Sequence, residues 1–231
     1  MDGNNQKDGS HKGVLMPSKK DNFDDDFFDD KLDSGPNNDF YSSNELTKKG
    51  IYYIYGEIET CSLLSIHQDI LLKHMDPKWN DDVQIIVNSF GGCAAEGFSL
   101  IDLLNWVRMD VRTVAIGFCG SMGACVACCG TPGKRFVTKN ASIMIHGASW
   151  GADGNVHQIA TVTKEMQREH ERHVDFWLRH SKYSKREDIE KYFLHGRNDE
   201  YMSAEEAIRH GIFDGICGES KTPTLKKKLS K

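Results

Sequence analysis

The sequence predicts an α/β fold, and three observations carry that expectation. Buried-strand and period-2 patterns alternate with helical ones from about residue 51 to residue 146. Their order, strand then helix then strand, implies right-handed crossovers onto one sheet. A chain of 231 residues accommodates one such domain with tails and buries a single substantial core.

The elements follow in turn. Ile51 to Glu57 reads as a strand, followed by a helix from about Ser62 to His74. Val83 to Ser89 is a second strand ending in Phe90-Gly91-Gly92, and a helix follows from about Ala94 to Arg108. Val111 to Gly117 is the third strand, and Ser121 begins a helix that runs to Cys129. Lys134 to Thr138 and Ser142 to His146 form shorter strands. Val156 to His180 is a long amphipathic helix, with Ile159, Val162, Met166, His170, Val174 and Trp177 along one side. On a lone subunit that stripe would face water, so association through this helix is expected. Helices at about Ser184–Phe193 and Ser203–Gly211 close the domain, and no internal repeat is visible.

Composition divides the chain into an acidic extension (1–45), a folded domain (46–219) and a basic tail (220–231). Residues 1–45 hold eleven Asp/Glu and five Lys/Arg, the signature of a disordered acidic segment. Within it, Asp21 to Asp30 mixes acids with three phenylalanines, either as a solvated tail or as a docking segment for a basic, apolar groove. Residues 221–231 carry five lysines and read as a second loose end.

A net charge of −5 gives no electrostatic case for nucleic-acid binding. No apolar run approaches the roughly 20 residues of a membrane span, and the N-terminus lacks the features of a signal or transit peptide. Seven cysteines is an odd count, and Cys119, Cys125, Cys128 and Cys129 sit among small apolar residues. That usage fits reduced, buried thiols in the cytoplasm. Cys125-Val-Ala-Cys128 reads either as helix packing or as a redox or metal pair, but no second pair follows at metal-ligand spacing. His170 and His173 are one residue short of the i, i+4 spacing that stacks two ligands on a helix face. No metal or cofactor is expected.

Two short strings hold the candidate chemistry. Gly120-Ser121-Met122-Gly123-Ala124 lies at a strand-to-helix switch, and Ile143-Met144-Ile145-His146 follows with the histidine 25 residues after the serine. Ser121 reads either as a helix N-cap or as a nucleophile. Gly120 and Gly123 favour the second role, because they permit a tight turn and a close approach of a substrate carbonyl. His146, ending an apolar strand and followed by Gly147, is either a satisfied core residue or the base that takes the serine proton. Gly91-Gly92 is either a turn or a source of an unobstructed N–H. Gly92 and Met122 together would then supply the two donors of an oxyanion hole. Among Asp188, Asp199 and Asp214, the candidate to orient the histidine is Asp199. It lies just ahead of Ser203-Ala-Glu-Glu206, which has capping-box spacing, although pattern alone reads it as a surface-turn aspartate.

These strings resemble the proteolytic subunit of the Clp protease family over about residues 50–218. Val87-Asn-Ser-Phe-Gly-Gly92 is similar to the family's I-N-S-P-G-G element, and Gly120-Ser-Met-Gly-Ala124 to A-S-M-G-A. Gly133-Lys-Arg-Phe136 through Ile143-Met-Ile-His146 is similar to G-K-R-F and I-M-I-H, and Asp199-Glu-Tyr-Met-Ser-Ala204 to D-R-F-L-S-A. The resemblance implies a triad of Ser121, His146 and Asp199, with Gly92 and Met122 as oxyanion donors. It also implies a crotonase-like ββα spiral in which Val156–His180 is the protruding handle. The family assembles as heptameric rings stacked into a barrel, takes unfolded polypeptides, and works with a ring-shaped ATPase unfoldase. This chain departs from the pattern at Phe90, where the family has proline, and at Gly147-Ala148, where it has Gln-Pro. Asn198 stands where an arginine often pairs across the rings. Gln84 and Ile86 replace aromatic residues of the ATPase groove, while Trp106 keeps one. The alternatives are a non-catalytic ring subunit, a crotonase-type enzyme acting on acyl-CoA esters, and a Clp-like peptidase that needs no ATPase. The complete triad set argues for peptide hydrolysis.

Overall fold

The computed structural model describes residues 45–149, 151, 153–194 and 199–218. The acidic extension before Glu45 and the lysine-rich tail lie outside the described residues, as does Asn198. The first half runs β1 (Ile51–Ile58), α1 (Thr60–Met75), β2 (Val83–Gly92), α2 (Ala94–Trp106), β3 (Val111–Gly120) and α3 (Met122–Cys128). The second half runs β4 (Arg135–Val137), β5 (Ser142–Ile145), α4 (Val156–His180), α5 (Arg186–Tyr192), β6 (Glu200–Ser203), α6 (Ala204–Arg209) and β7 (Gly215–Ile216).

The fold is α/β, with a mostly parallel sheet. Strands β1, β2, β3, β4 and β7 lie side by side in that order, all parallel, and β5 pairs with β3 on one side and with β6 on the other. Only β5 and β6 are antiparallel. Parallel strands are covered on both faces, which is why Val83, Ile85, Val87, Val111, Val114 and Ala115 are all buried.

One feature of β3 positions the site. Thr113–Ala115 pair with β4, whereas Phe118–Gly120 pair with β5, so the strand forks between two neighbours. Gly117, at φ 58, sits at the fork. A side chain there would meet Asn88 Oδ1 at 3.0 Å, the same oxygen that accepts the Phe118 N–H at 3.2 Å. Asn88 therefore holds the bend from β2, and only glycine has both the dihedral and the space for it.

Two helices of the second half start at side-chain caps, the one at Ser203 as the sequence suggests. Ser203 and Glu206 form the capping box of α6, and Asn155 accepts from the N–H groups of His157 and Gln158 at the start of α4. The structure differs from the sequence expectation at short elements. The strand β6 precedes α6, where a helix from Ser203 was the only element expected, and β7 was not foreseen. Neither β6 nor β7 carries an apolar run such as the one that marked β5; their partners define them.

A second difference concerns α4. Val174 and Trp177, expected on an exposed stripe, are 2% and 1% exposed. Trp177 packs against Phe176 and Phe193 with ring centroids 5.1 Å away in each case. Burial of side chains of this size is worth about 1.5–3 kcal/mol each and here stabilises the subunit itself. The helix protrudes at its other end: no residue from 156 to 168 is buried, and Val156 and Ile159 are exposed.

Candidate active site

Ser121 closes β3 and precedes α3. Its backbone, at φ 53 and ψ −124, makes it the sole non-glycine residue with positive φ among the described residues. Such a conformation costs on the order of 1–3 kcal/mol unless its surroundings impose it. They do: the Ser121 N–H donates to the Met144 carbonyl at 2.8 Å, continuing the β3–β5 ladder, while its own carbonyl accepts from Ala124 and Cys125 to start the helix. The serine occupies the N-cap position but its side chain makes no capping bond. Instead, Ser121 Oγ lies 2.8 Å from His146 Nε2. The side chain therefore faces the histidine rather than the helix N-terminus.

His146 stands one residue past β5. Because β3 and β5 pair in register Gly120 with Met144, a residue just beyond each strand end comes together with the other. The same logic places Asp199. Strands β5 and β6 are antiparallel, with Ile145 opposite Glu200, so the next step of the register sets His146 opposite Asp199. His146 Nδ1 and Asp199 Oδ1 are 3.5 Å apart. That is longer than the about 2.7–2.9 Å of a tight charge-assisted bond. The other candidate acids lie elsewhere in the fold. Asp214 accepts from the Gly133 and Arg135 N–H groups and from the Arg135 guanidinium, which holds its carboxyl below the usual range. Asp188 lies in the first turn of α5.

Gly92 ends β2 beside Ile58 of β1. Met122 is the first residue of α3, so its N–H has no intrahelical acceptor. Both line a cleft of about 610 Å3 together with Ser121 and His146. Gly91 brings the two halves into contact. A side chain there would meet Ser121 Cβ at 2.8 Å and Met122 N at 3.0 Å, and φ is 103. The arrangement can hold a carbonyl between two backbone donors, a hydroxyl and an imidazole.

Two residues that the sequence reading passed over support this loop. Ser89, 1% exposed, accepts the Gly91 N–H at 3.1 Å and donates to the Gly56 carbonyl, tying the diglycine to β1. Asn88 fixes the β3 fork as described. Adjacent polar residues at the end of an apolar strand were the available signal, since buried polar groups require partners. Glu169 was also missed. It is buried, lines the cleft, and sits three residues after Met166, an acid on the side of α4 that carries apolar groups.

The cysteine pair is packing. Burial pushes the Cys129 thiol up to about 12 and Cys125 and Cys128 upward as well, while Cys128 Sγ donates to the Cys125 carbonyl. Thiols so disfavoured as thiolates are poor ligands and nucleophiles. The helix histidines take separate partners: His170 faces Glu190 at 3.7 Å, and His173 bonds the Glu169 carbonyl at 2.9 Å. Among the described residues no helix is long and apolar enough to cross a membrane. The family model described as Clp protease matches residues 35–220, well over half of the chain.

Proposed function

The chain belongs to the Clp protease family, and on that premise we propose that this Clp-type peptidase is a serine endopeptidase in which Ser121, His146 and Asp199 act as one unit. The observation that carries the reading is the 2.8 Å contact between Ser121 Oγ and His146 Nε2, made by a serine on a strained backbone with no capping bond. The crotonase-like fold of the family supplies the frame.

The chemistry follows from the geometry. His146 Nε2 takes the hydroxyl proton as Ser121 Oγ attacks the scissile carbonyl, and the N–H groups of Gly92 and Met122 receive the oxyanion. His146 then returns the proton to the leaving amine, and water attacks the acyl-serine by the same route in reverse. Asp199 keeps Nδ1 as the protonated nitrogen and stabilises the imidazolium that forms.

Assembly into heptameric rings, pairing of rings into a barrel, and delivery of unfolded polypeptides by a ring-shaped ATPase belong to the same proposal. The exposed apolar end of α4, with Val156 and Ile159, supports contact between copies of the chain. The exposed rings of Tyr53 and Tyr55, stacked at 6.3 Å, and of Trp106 support docking of a partner on another face.

A fluorophosphonate probe tests the catalytic assignment. It should label the wild type and miss Ser121→Ala, which should also lose all peptide cleavage while keeping its circular dichroism. Labelling that persists in Ser121→Ala would refute the assignment.

A further inference from the structure

We propose that the α4 wall of the cleft is a specificity subsite for a cationic, hydrogen-bond-donating side chain, lysine or arginine, on the residue whose carbonyl Ser121 attacks. The inference rests on the serine-peptidase reading and deepens it by naming the substrate class.

Glu165, Glu169, Arg172 and His173 line the same cleft as the nucleophile. Their spacing of four, three and one places them on one helical face. The Glu169 side chain is 5% exposed, yet its Oε1 has no hydrogen-bond partner. Its other oxygen lies 3.1 Å from Arg172 Nη1. The same guanidinium also donates through Nη2 to Glu165 Oε1 at 2.5 Å. Within the lining, then, one cation serves two carboxylates. Arg168, which also reaches Glu165, stands out in solvent with 74% of its side chain exposed.

His173 does not close the gap. Its Nδ1 is 3.6 Å from Glu169 Oε1 and bonds the Glu169 backbone carbonyl instead, at 2.9 Å. A carbonyl only accepts, so Nδ1 carries the hydrogen and Nε2 of the neutral ring is an acceptor. Burial lowers the His173 pKa and favours that neutral ring. The spare capacity of these side chains is therefore to accept, with one negative charge in excess.

A buried carboxylate oxygen without a donor is costly, so a bound group that brings one is selected over a group that does not. An apolar side chain would leave Glu169 Oε1, already out of reach of water, still without a donor, and an acidic one would add like charge. Met122, Cys125 and Trp177 provide apolar surface along which the methylene stem of lysine or arginine can lie. The indole N–H of Trp177, buried and also unpartnered, remains for a substrate carbonyl or a water. Met122 carries a proposed oxyanion donor, and Cys125 follows one turn later on α3. The subsite thus adjoins the place where the attacked residue is held.

The test uses fluorogenic peptides that differ only in the residue before the cleaved bond: lysine, arginine, leucine or glutamate. The full chain should favour lysine and arginine over leucine by at least about tenfold in kcat/KM and cleave glutamate least. Glu169→Gln, of nearly the same shape, should erase that preference, and Glu169→Leu should reverse it. Fluorophosphonate labelling of Ser121 in each variant checks that the site is still formed. Labelling together with a preference for leucine in the wild type, or with a ratio that Glu169→Gln leaves unchanged, overturns the subsite and spares the serine-peptidase reading. No labelling and no cleavage of any peptide overturns both.

Discussion

Replacing Gly91 by alanine should slow acylation of Ser121 by roughly fifteenfold while leaving the protein folded. The added methyl would lie 2.8 Å from Ser121 Cβ, 2.9 Å from the Gly120 carbonyl oxygen and 3.0 Å from Met122 N, and ordinary contact begins near 3.4 Å. Ser121 must therefore retreat by about 0.6 Å and the first residue of α3 by about 0.4 Å. None of the three neighbours is the end of a flexible side chain, so the backbone has to move. A misplacement of about 1 Å at a reacting group costs about a hundredfold, and about 0.6 Å on the same logarithmic scale gives the figure above. The dihedral adds a separate cost: alanine at φ 103 is strained by on the order of 1–3 kcal/mol. Gly133→Ala separates the two effects, because Gly133 has φ 86 but nothing within 4 Å of a would-be side chain. Gly91→Ala should lose more thermal stability than Gly133→Ala, and only Gly91→Ala should slow fluorophosphonate labelling. Labelling of Gly91→Ala within twofold of the wild type, or equal slowing in Gly133→Ala, would refute the proposed contact between the diglycine loop and the nucleophile.

Asp199→Asn should reduce peptide turnover by about 10⁴, the cost of the wrong imidazole tautomer in a serine triad, whereas Asp214→Asn should chiefly lower the melting temperature by loosening Arg135; the opposite pattern would reassign the acid. Acidification should destabilise the fold through His180, whose pKa burial lowers to about 4. Below its unfolded value near 6.5 only the unfolded chain takes up the proton, so stability is full above 6.5 and falls by up to about 3 kcal/mol as pH drops through 4. Urea unfolding at several pH values should show a shallower slope for His180→Gln, and an unchanged slope would exclude this histidine as the cause. Ile159→Glu with Val156→Glu should shrink the particle seen by light scattering and lower cleavage without touching Ser121, His146 or Asp199; full-size, fully active particles would mean that this end of α4 makes no contact between copies.

What the sequence by itself determined is the chemistry that travels in contiguous strings. Gly120-Ser121-Met122 at a strand-to-helix switch and His146 at the end of an apolar strand are local patterns, and so is the capping box at Ser203. The alternation of strands and helices was legible for the same reason, since hydrophobic period depends on neighbours in the chain. Tertiary structure alone decided the rest. The fork of β3 at Gly117, which brings Met144 beside Gly120, depends on two strands competing for one edge. Asp199 reaches His146 through β6, a four-residue strand that exists only because β5 is there to pair with it. Periodicity marked the apolar side of α4 correctly but did not reveal what covers it. Trp177 and Val174 face their own core, the outer turns face water, and Glu169, on that same helix, lies buried in the wall of the cleft. Apolar pattern reports a demand for burial, and only the packing of distant segments determines which surface meets it.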